Sequence, residues 1–496
     1  MAVNFDLPPQ PNPIVATVAL SLCSFMNAYL MISMFPYGGF MVINLLPGTT
    51  VDNVGSYAGL LASSFMIGRF LTSYAWGKTA DVYGRIFVLE WTLVLAGGFS
   101  LLFGMSKSLP AALVLRFCAG MSNGTLSATK TMATEVSFGN DALERRIMGV
   151  VVGMRSWGFL ICPAIGGALA EPLSQYPHWQ PTGWIRHMLT EYPFLLPNLV
   201  AFVLCIINAM LVRCYLPETL PPQKRRNPRH IPGDICESII TTYSHWSKFH
   251  CGEKGEVEER MILLEPTQPE FLTNSITTDE PAIMSRPNTR RLLINHWLFA
   301  FVSTLVDEAF PLFCMSASAG LAMNEATIGE VLSFAGLIFA SLQYFVYILL
   351  VNKFGVETCL VVGSILGIQP LLLMPLSLLM HNKALLILFL ALVMGACKVF
   401  HSLFFTCISL GINKTVPASQ RATMNGIQLM GGSLARAFGP IVAGTLTSVA
   451  FSSSQLGSMG SLVVFAIVCI IGWVVTCRVV VNSSDREQCP TGDSPI

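Results

Sequence analysis

Long runs of apolar residues alternate along this chain with short polar connections. A helix needs roughly 20 mostly apolar residues to cross the hydrocarbon core of a bilayer. On that scale the pattern predicts twelve spans, near 14–45, 54–77, 86–105, 110–136, 146–170, 194–215, 291–315, 326–350, 357–380, 384–411, 421–449 and 459–481. Most connections are too short to hold a second folded domain. The exception is 217–290, rich in Pro, Lys, Arg and Glu and weakly apolar, the composition of a disordered linker. The expected organisation is an all-α membrane protein of two six-helix halves. A tail at 1–13 precedes a bundle at 14–216, the linker fills 217–290, and a bundle at 291–481 precedes a tail at 482–496.

Composition fits a chain solvated mainly by lipid. It is 53% hydrophobic and 11% charged, where soluble domains carry about a quarter charged residues. A net charge of +1 excludes nucleic-acid binding driven by bulk charge. The 14 cysteines are mostly scattered singly through apolar runs, as at Cys23, Cys118 and Cys162, where they act as small core residues. Pro8, Pro9, Pro11 and Pro13 replace a basic signal-peptide start, and the following apolar run is too long for a cleaved core. That run is expected to persist as the first span.

Orientation follows from the basic residues, which favour cytoplasmic loops. With a cytoplasmic N-terminus, about twenty of the 29 Lys and Arg fall inside and about three outside. Both termini are then cytoplasmic, and the sequence does not distinguish a plasma membrane from a vacuolar-type one. The halves also echo each other. GFLICPAIGGAL (158–169) aligns with ARAFGPIVAGTL (435–446), setting Pro163 on Pro440 and Gly167 on Gly444. Parallel repeats with a central site between them build many secondary transporters.

The connection WGKTADVYGR (76–85) resembles the loop motif of the major facilitator superfamily between spans two and three. Gly77, Ala80, Asp81, Gly84 and Arg85 match, with Thr79 and Ile86 in place of a leucine and a basic residue. Arg116 followed by Gly120 resembles the family's second motif. Gly158, Pro163, Gly166 and Gly167 resemble the third, associated with antiporters, with Cys162 where that motif has glycine. The run from Ser56 to Arg85, YLPETL (215–220) and GEVL (329–332) are similar to the zinc-induced facilitator-like transporters. That group resembles proton-coupled antiporters for small organic molecules, including metal chelators, and for metal or alkali cations. The chain has no counterpart of the group's Cys-rich N-terminal motif, and Pro221 follows PETL.

The resemblance implies roles. Glycines of the loop motif would let helix ends approach closely, and Asp81 would accept from the N-terminus of the eleventh span. Arg85 would pair with Glu135 as a latch of the outward-open state. Asp307 matches an acidic position, Lys130 matches a basic one, and Arg116 is the motif arginine associated with proton coupling.

An ionisable residue at bilayer depth costs roughly 2.5–3.5 kcal/mol on insertion scales, so each needs a reason. Arg69, Arg116, Lys130, Arg155, Asp307, Glu308, Glu330, Lys398, His401 and Arg436 all fall within expected spans. Adjacent helix positions point about 100° apart, so Asp307 and Glu308 cannot face one cavity equally. Asp307 is the preferred proton carrier, its carboxyl tuned by partial desolvation, with Glu308 the other proton-coupling candidate; Asp307 reads equally as half of a salt bridge to a neighbouring span. Arg116 and Lys130, fourteen residues apart, would share a face of one continuous helix. With Arg69 and Arg155 they would make the first half of the cavity basic. Lys398 and His401 share a face at i and i+3, and His401 reads equally as a packed core residue. Arg436 completes the set. The basic excess points to a carboxylate-bearing substrate, a zwitterionic chelator among the candidates. Gly158, Pro163, Gly166 and Gly167 would allow close packing and a kink where the halves meet.

GMSNG (120–124) fits the nucleophile-elbow pattern, but that pattern needs a strand–turn–helix context and here falls in a predicted helix. Cys236, His245, His250 and Cys251 match no structural zinc spacing, and neither metal nor cofactor is implied. Three functions are weighed. The first is a monomeric, proton-coupled antiporter of a small organic solute or metal chelate, with lipid, substrate and protons as its partners and no nucleic acid. The second is a drug-type exporter of lipophilic cations, for which an acidic cavity would be expected. The third is a non-cycling transporter-like receptor or scaffold. No catalytic constellation supports an enzyme.

Overall fold

In the computed structural model, helix or 3-10 helix occupies each of the twelve expected spans. The described residues exclude 1–12, 138–140, 180, 221–285, 416–420, 454–455, 458 and 488–496, together with some side chains inside helices, those of Lys78 and Asp81 among them. Most of the expected linker, its Cys and His residues, and most of both tails lie outside the described residues.

The first half comprises α1 (Pro13–Ile32), α2 (Gly38–Leu45), α3 (Gly55–Tyr83), α4 (Arg85–Gly104), α5 (Leu109–Met121), α6 (Thr125–Glu135), α7 (Asp141–Leu169), the short α8 (Pro172–Gln175) and α9 (Trp184–Glu191), and α10 (Leu195–Tyr215). The second comprises α11 (Pro287–Met315), α12 (Glu325–Leu366), a 3-10 helix (Gln369–Leu379), α13 (Lys383–Lys414), α14 (Arg421–Phe451) and α15 (Met459–Glu487). Among the described residues, nine helical stretches are long and apolar enough to cross a membrane. One of them, Glu325–Leu379, contains two expected spans, divided at Gly355, where φ of 77° breaks the helix. Its second part tightens into 3-10 geometry around Pro375, which removes a helical N–H.

Span four differs from expectation. It breaks at Ser122–Gly124, where Trp76 leaves no room for a Cβ on Gly124 and donates its indole N–H to the Met121 carbonyl at 2.7 Å. GMSNG therefore lies at a helix break and not inside one helix; the strand that a nucleophile elbow requires is absent from it. Arg116 and Lys130 consequently do not share a face, Arg116 being buried and Lys130 exposed.

Large apolar side chains such as Trp91, Phe345, Leu388 and Trp473 remain exposed on the outside, as a lipid-solvated surface requires. Phe299, Phe310, Phe313, Phe404 and Phe465 fill the second half. Two seams join the halves, α3 against α14 and α7 against α12. The end bearing Gly84, Glu218 and Pro287 is here the motif end, and the opposite is the far end.

The candidate site between the halves

At the motif end, Gly84 turns α3 into α4 with φ of 115°. A side chain there would meet Glu218, since a Cβ would lie 2.3 Å from its Oε2. Both the turn and the close approach require glycine. Glu218 accepts from the backbone N–H of Arg85 at 2.9 Å and of Ile86 at 3.0 Å. Its carboxylate thereby satisfies the first free donors of α4, where the helix dipole favours an anion. Arg85 Nη2 donates to Glu135 Oε1 at 2.9 Å, and Thr219 donates its hydroxyl to Glu135. The PETL segment thus ties α4 to α6, a role that the sequence reading did not assign. Gly77 differs from expectation, because α3 runs through it with open space where a side chain would go. The side chain of Asp81 is outside the described set. The Arg85–Glu135 pair joins two helices of one half and is made while the far end is closed, so it is a brace within that half in this structure.

The far end is closed by backbone contacts. A Cβ on Gly167 would lie 2.4 Å from the Glu325 carbonyl, and one on Gly329 would lie 2.5 Å from that of Pro163. Gly166 and Gly158 instead pack on α1, against the Ser33 carbonyl and Ala28, so only part of this motif lies on the seam. Ser316 donates to Asp52 Oδ1 at 2.6 Å and Ser448 to the Asn53 carbonyl at 2.6 Å, which stitches the same end.

Between the two ends, charged groups from both halves converge. Lys398 of α13 donates to Asp307 of α11, an ion pair that is mostly buried. Of the two readings open for Asp307, the structure displays the salt bridge. Arg155 and Arg436 lie within Coulomb range of Asp307, and Arg69 and Lys130 within range of those arginines. Lys398 also sits 4.4 Å over the ring of Phe159, a residue of the other half, and the Arg155 guanidinium lies 5.5 Å from that ring. Arg436 lies over Phe405 at 5.4 Å. Three cations thus act on one carboxylate and two more lie within range of its arginines, with aromatic faces beside them that sequence reasoning missed. Aromatic positions in apolar helices give no signal until the halves are brought together. Arg155 and Lys130 are exposed, Arg436 is half-buried and Arg69 is buried.

The remaining expected site residues lie elsewhere. His401 packs edge-on against Phe299 at 5.3 Å, and among the described residues its buried Nε2 has no partner. Arg116 is buried towards the far end, donating to the Leu30 carbonyl at 2.8 Å and lying over Phe65 at 4.7 Å. Glu308 points away from Lys398 into a small cavity at the junction of the halves. Glu330 is exposed.

Two helical bundles joined along two seams, with a polar cluster where they meet, define a membrane transport protein. The chain belongs to the Major Facilitator Superfamily, whose family model matches residues 18–440. It is a multi-pass integral membrane protein. A probable peptide/nitrate transporter of Arabidopsis thaliana is 29% identical over 444 residues, covering 86% of this chain and 82% of its own length. The protein Zinc Induced Facilitator 1 of Arabidopsis thaliana is 28% identical over 471 residues, 92% of this chain and 89% of its own. The crystal structure of the human organic anion transporter MFSD10 (TETRAN) shares the fold at 17% identity and a TM-score of 0.59, covering 95% of this chain and 100% of that one.

Proposed function

We propose that this protein exchanges small organic anions for protons by alternating access, with Arg69, Lys130, Arg155, Lys398 and Arg436 forming the anion site. The observation that carries this reading is the charge imbalance, a cluster of five cations in which, among the described residues, Asp307 is the acid that meets Lys398, Arg155 and Arg436. Charges held at bilayer depth without counter-charges are costly, and a carboxylate-bearing substrate supplies the counter-charge. Arginine suits this role because its planar fork binds carboxylates bidentately. Phe159 and Phe405 offer flat apolar faces beside the cations, which suits an organic anion better than a small inorganic one. The same cluster speaks against a lipophilic-cation exporter.

The motif end is assigned to the cytoplasm on the strength of its basic loops, which puts both termini there. Residues 217–290 then form a cytoplasmic link between the halves. Both halves of the site come from one chain, so the monomer is the working unit. A cycling transporter must part the glycine seams at the far end and re-form them, and the brace around Arg85 keeps the motif end of the first half rigid while it moves.

Ligand-induced stabilisation tests the site. A dicarboxylate or an amino-carboxylate chelator, with or without zinc, is expected to raise the melting temperature in detergent, by linkage of binding to folding. Arg155→Ala should abolish that rise. Stabilisation by a lipophilic cation alone would contradict the anion site.

A further inference from the structure

Asp307 and Glu308 are neighbours on α11 but face different surroundings. Asp307 turns to Lys398 and the cation cluster. Glu308 turns to a cavity of about 10 Å³, enough for about one water. The other walls are apolar side chains or glycine, with Met34, Gly39 and Ala58 from the first half and Leu312 and Met315 from the second. The halves touch beside it, since a Cβ on Gly39 would lie 2.6 Å from Met315 Sδ.

Glu308 is 7% exposed and, among the described residues, has no hydrogen bond or ion pair. The charged groups facing it are Arg116 of α5 and Asp307 of its own helix. Arg116 is committed to the Leu30 carbonyl and to the rings of Phe65 and Phe103, and Tyr37 lies within its range. α2 and α3 contribute only apolar or glycine lining. An ionised carboxylate in such a place has room for about one water and no hydrogen-bonded partner among the described residues, so Arg116 alone offsets its charge, from a distance.

We infer that Glu308 is the proton-binding site of the transport cycle, loaded from the far end, while Asp307 stays paired with Lys398. This rests on the antiport reading above. When the far-end seams part, α2 and α3 leave α11 and Glu308 meets water. A proton from that water then forms an O–H bond on its carboxylate, and only the neutral side chain can be sealed into the apolar pocket. Closure of the far end therefore takes up one proton. Pro311 supports the motion, because it cannot donate to the Asp307 carbonyl one turn earlier and so leaves α11 free to bend beside both acids.

The test uses the full-length protein in liposomes, with Glu308→Gln, Glu308→Asp and Asp307→Asn beside the wild type and a radiolabelled dicarboxylate as probe. Two modes are compared, anion exchange at equal pH and accumulation driven by a pH gradient. Glu308→Gln is expected to lose gradient-driven accumulation by about tenfold or more while exchange falls by much less. Glu308→Asp should retain part of the coupling, and Asp307→Asn should lose both modes. Gradient-driven accumulation by Glu308→Gln equal to wild type would overturn the inference. If the wild type moves no anion, or Glu308→Gln loses exchange too, infrared spectroscopy decides. A neutral-carboxyl band present in the wild type and missing in Glu308→Gln supports the assignment, and a band untouched by that substitution refutes it.

Discussion

Gly59 lies so close to Pro440 that a Cβ would come within 2.1 Å of the Pro440 carbonyl oxygen. The other seam repeats this contact between Gly329 and Pro163. Each pair matches a glycine of one half with a proline inside a continuous helix of the other. Because the obstructing atoms are backbone, no rotamer change can make room for a side chain.

Gly59→Val and Gly329→Val should therefore each hold the far end open. Ala58→Cys, at a position only 2% exposed, reports on this when labelled by a membrane-impermeant thiol reagent. Labelling should rise about tenfold when either valine is added. Labelling that stays at the single-cysteine level would show that the seam does not gate access.

Removing the carboxylate of Glu218 leaves the first N–H groups of α4 without their acceptor. Glu218→Ala is expected to cost about 1–2 kcal/mol, the range for loss of a helix cap. Thermal unfolding in detergent measures it. Glu218→Gln should recover part of the loss, because its amide oxygen can still accept one of the two bonds.

Asp307 and Lys398 should behave as one unit. Removing either partner leaves a mostly buried, uncompensated charge, at a cost of about 3–5 kcal/mol for fully buried pairs. The double substitution Asp307→Asn with Lys398→Met should cost much less than the sum, with a coupling energy of about 1–3 kcal/mol. Additive losses would mean that the pair contributes nothing beyond its members.

Glu171, between α7 and α8, gives a pH signature outside the spans. Burial raises its carboxyl above the ordinary value of 4.5, with Ser174 opposing the shift. A raised carboxyl favours the folded state at low pH, fully below 4.5, and that contribution is lost as pH rises through the folded-state value. Melting curves should show Glu171→Gln gaining on the wild type from pH 4.5 upward. Glu171 also has φ of 42°, so Glu171→Gly should relieve about 1 kcal/mol of backbone strain at all pH values.

Much of this molecule can be read from its sequence, because lipid imposes a strong rule on composition. Each of the twelve expected spans is occupied by helix, and Arg85 meets Glu135 across fifty residues of sequence. The alignment of Pro163 with Pro440 also finds its counterpart in the equivalent seam contacts. What failed depended on local backbone breaks. Arg116 and Lys130 read as one face only if span four is continuous, and Trp76, which packs against Gly124 at its break, lies forty-eight positions away. The opposite surroundings of Asp307 and Glu308 were half legible, since helical geometry separates the two but cannot say which one meets Lys398. Phe159 was invisible because its importance comes from Lys398, a residue of the other half.

The anion site itself is tested most directly by flux. Purified protein in liposomes would be offered a dicarboxylate, a zinc-free and a zinc-loaded amino-carboxylate chelator, and a lipophilic cation, each beside Arg155→Ala and Arg436→Ala. The account predicts saturable exchange of at least one organic anion, reduced about tenfold or more by either arginine substitution. Transport of the lipophilic cation alone, untouched by those substitutions, would contradict it.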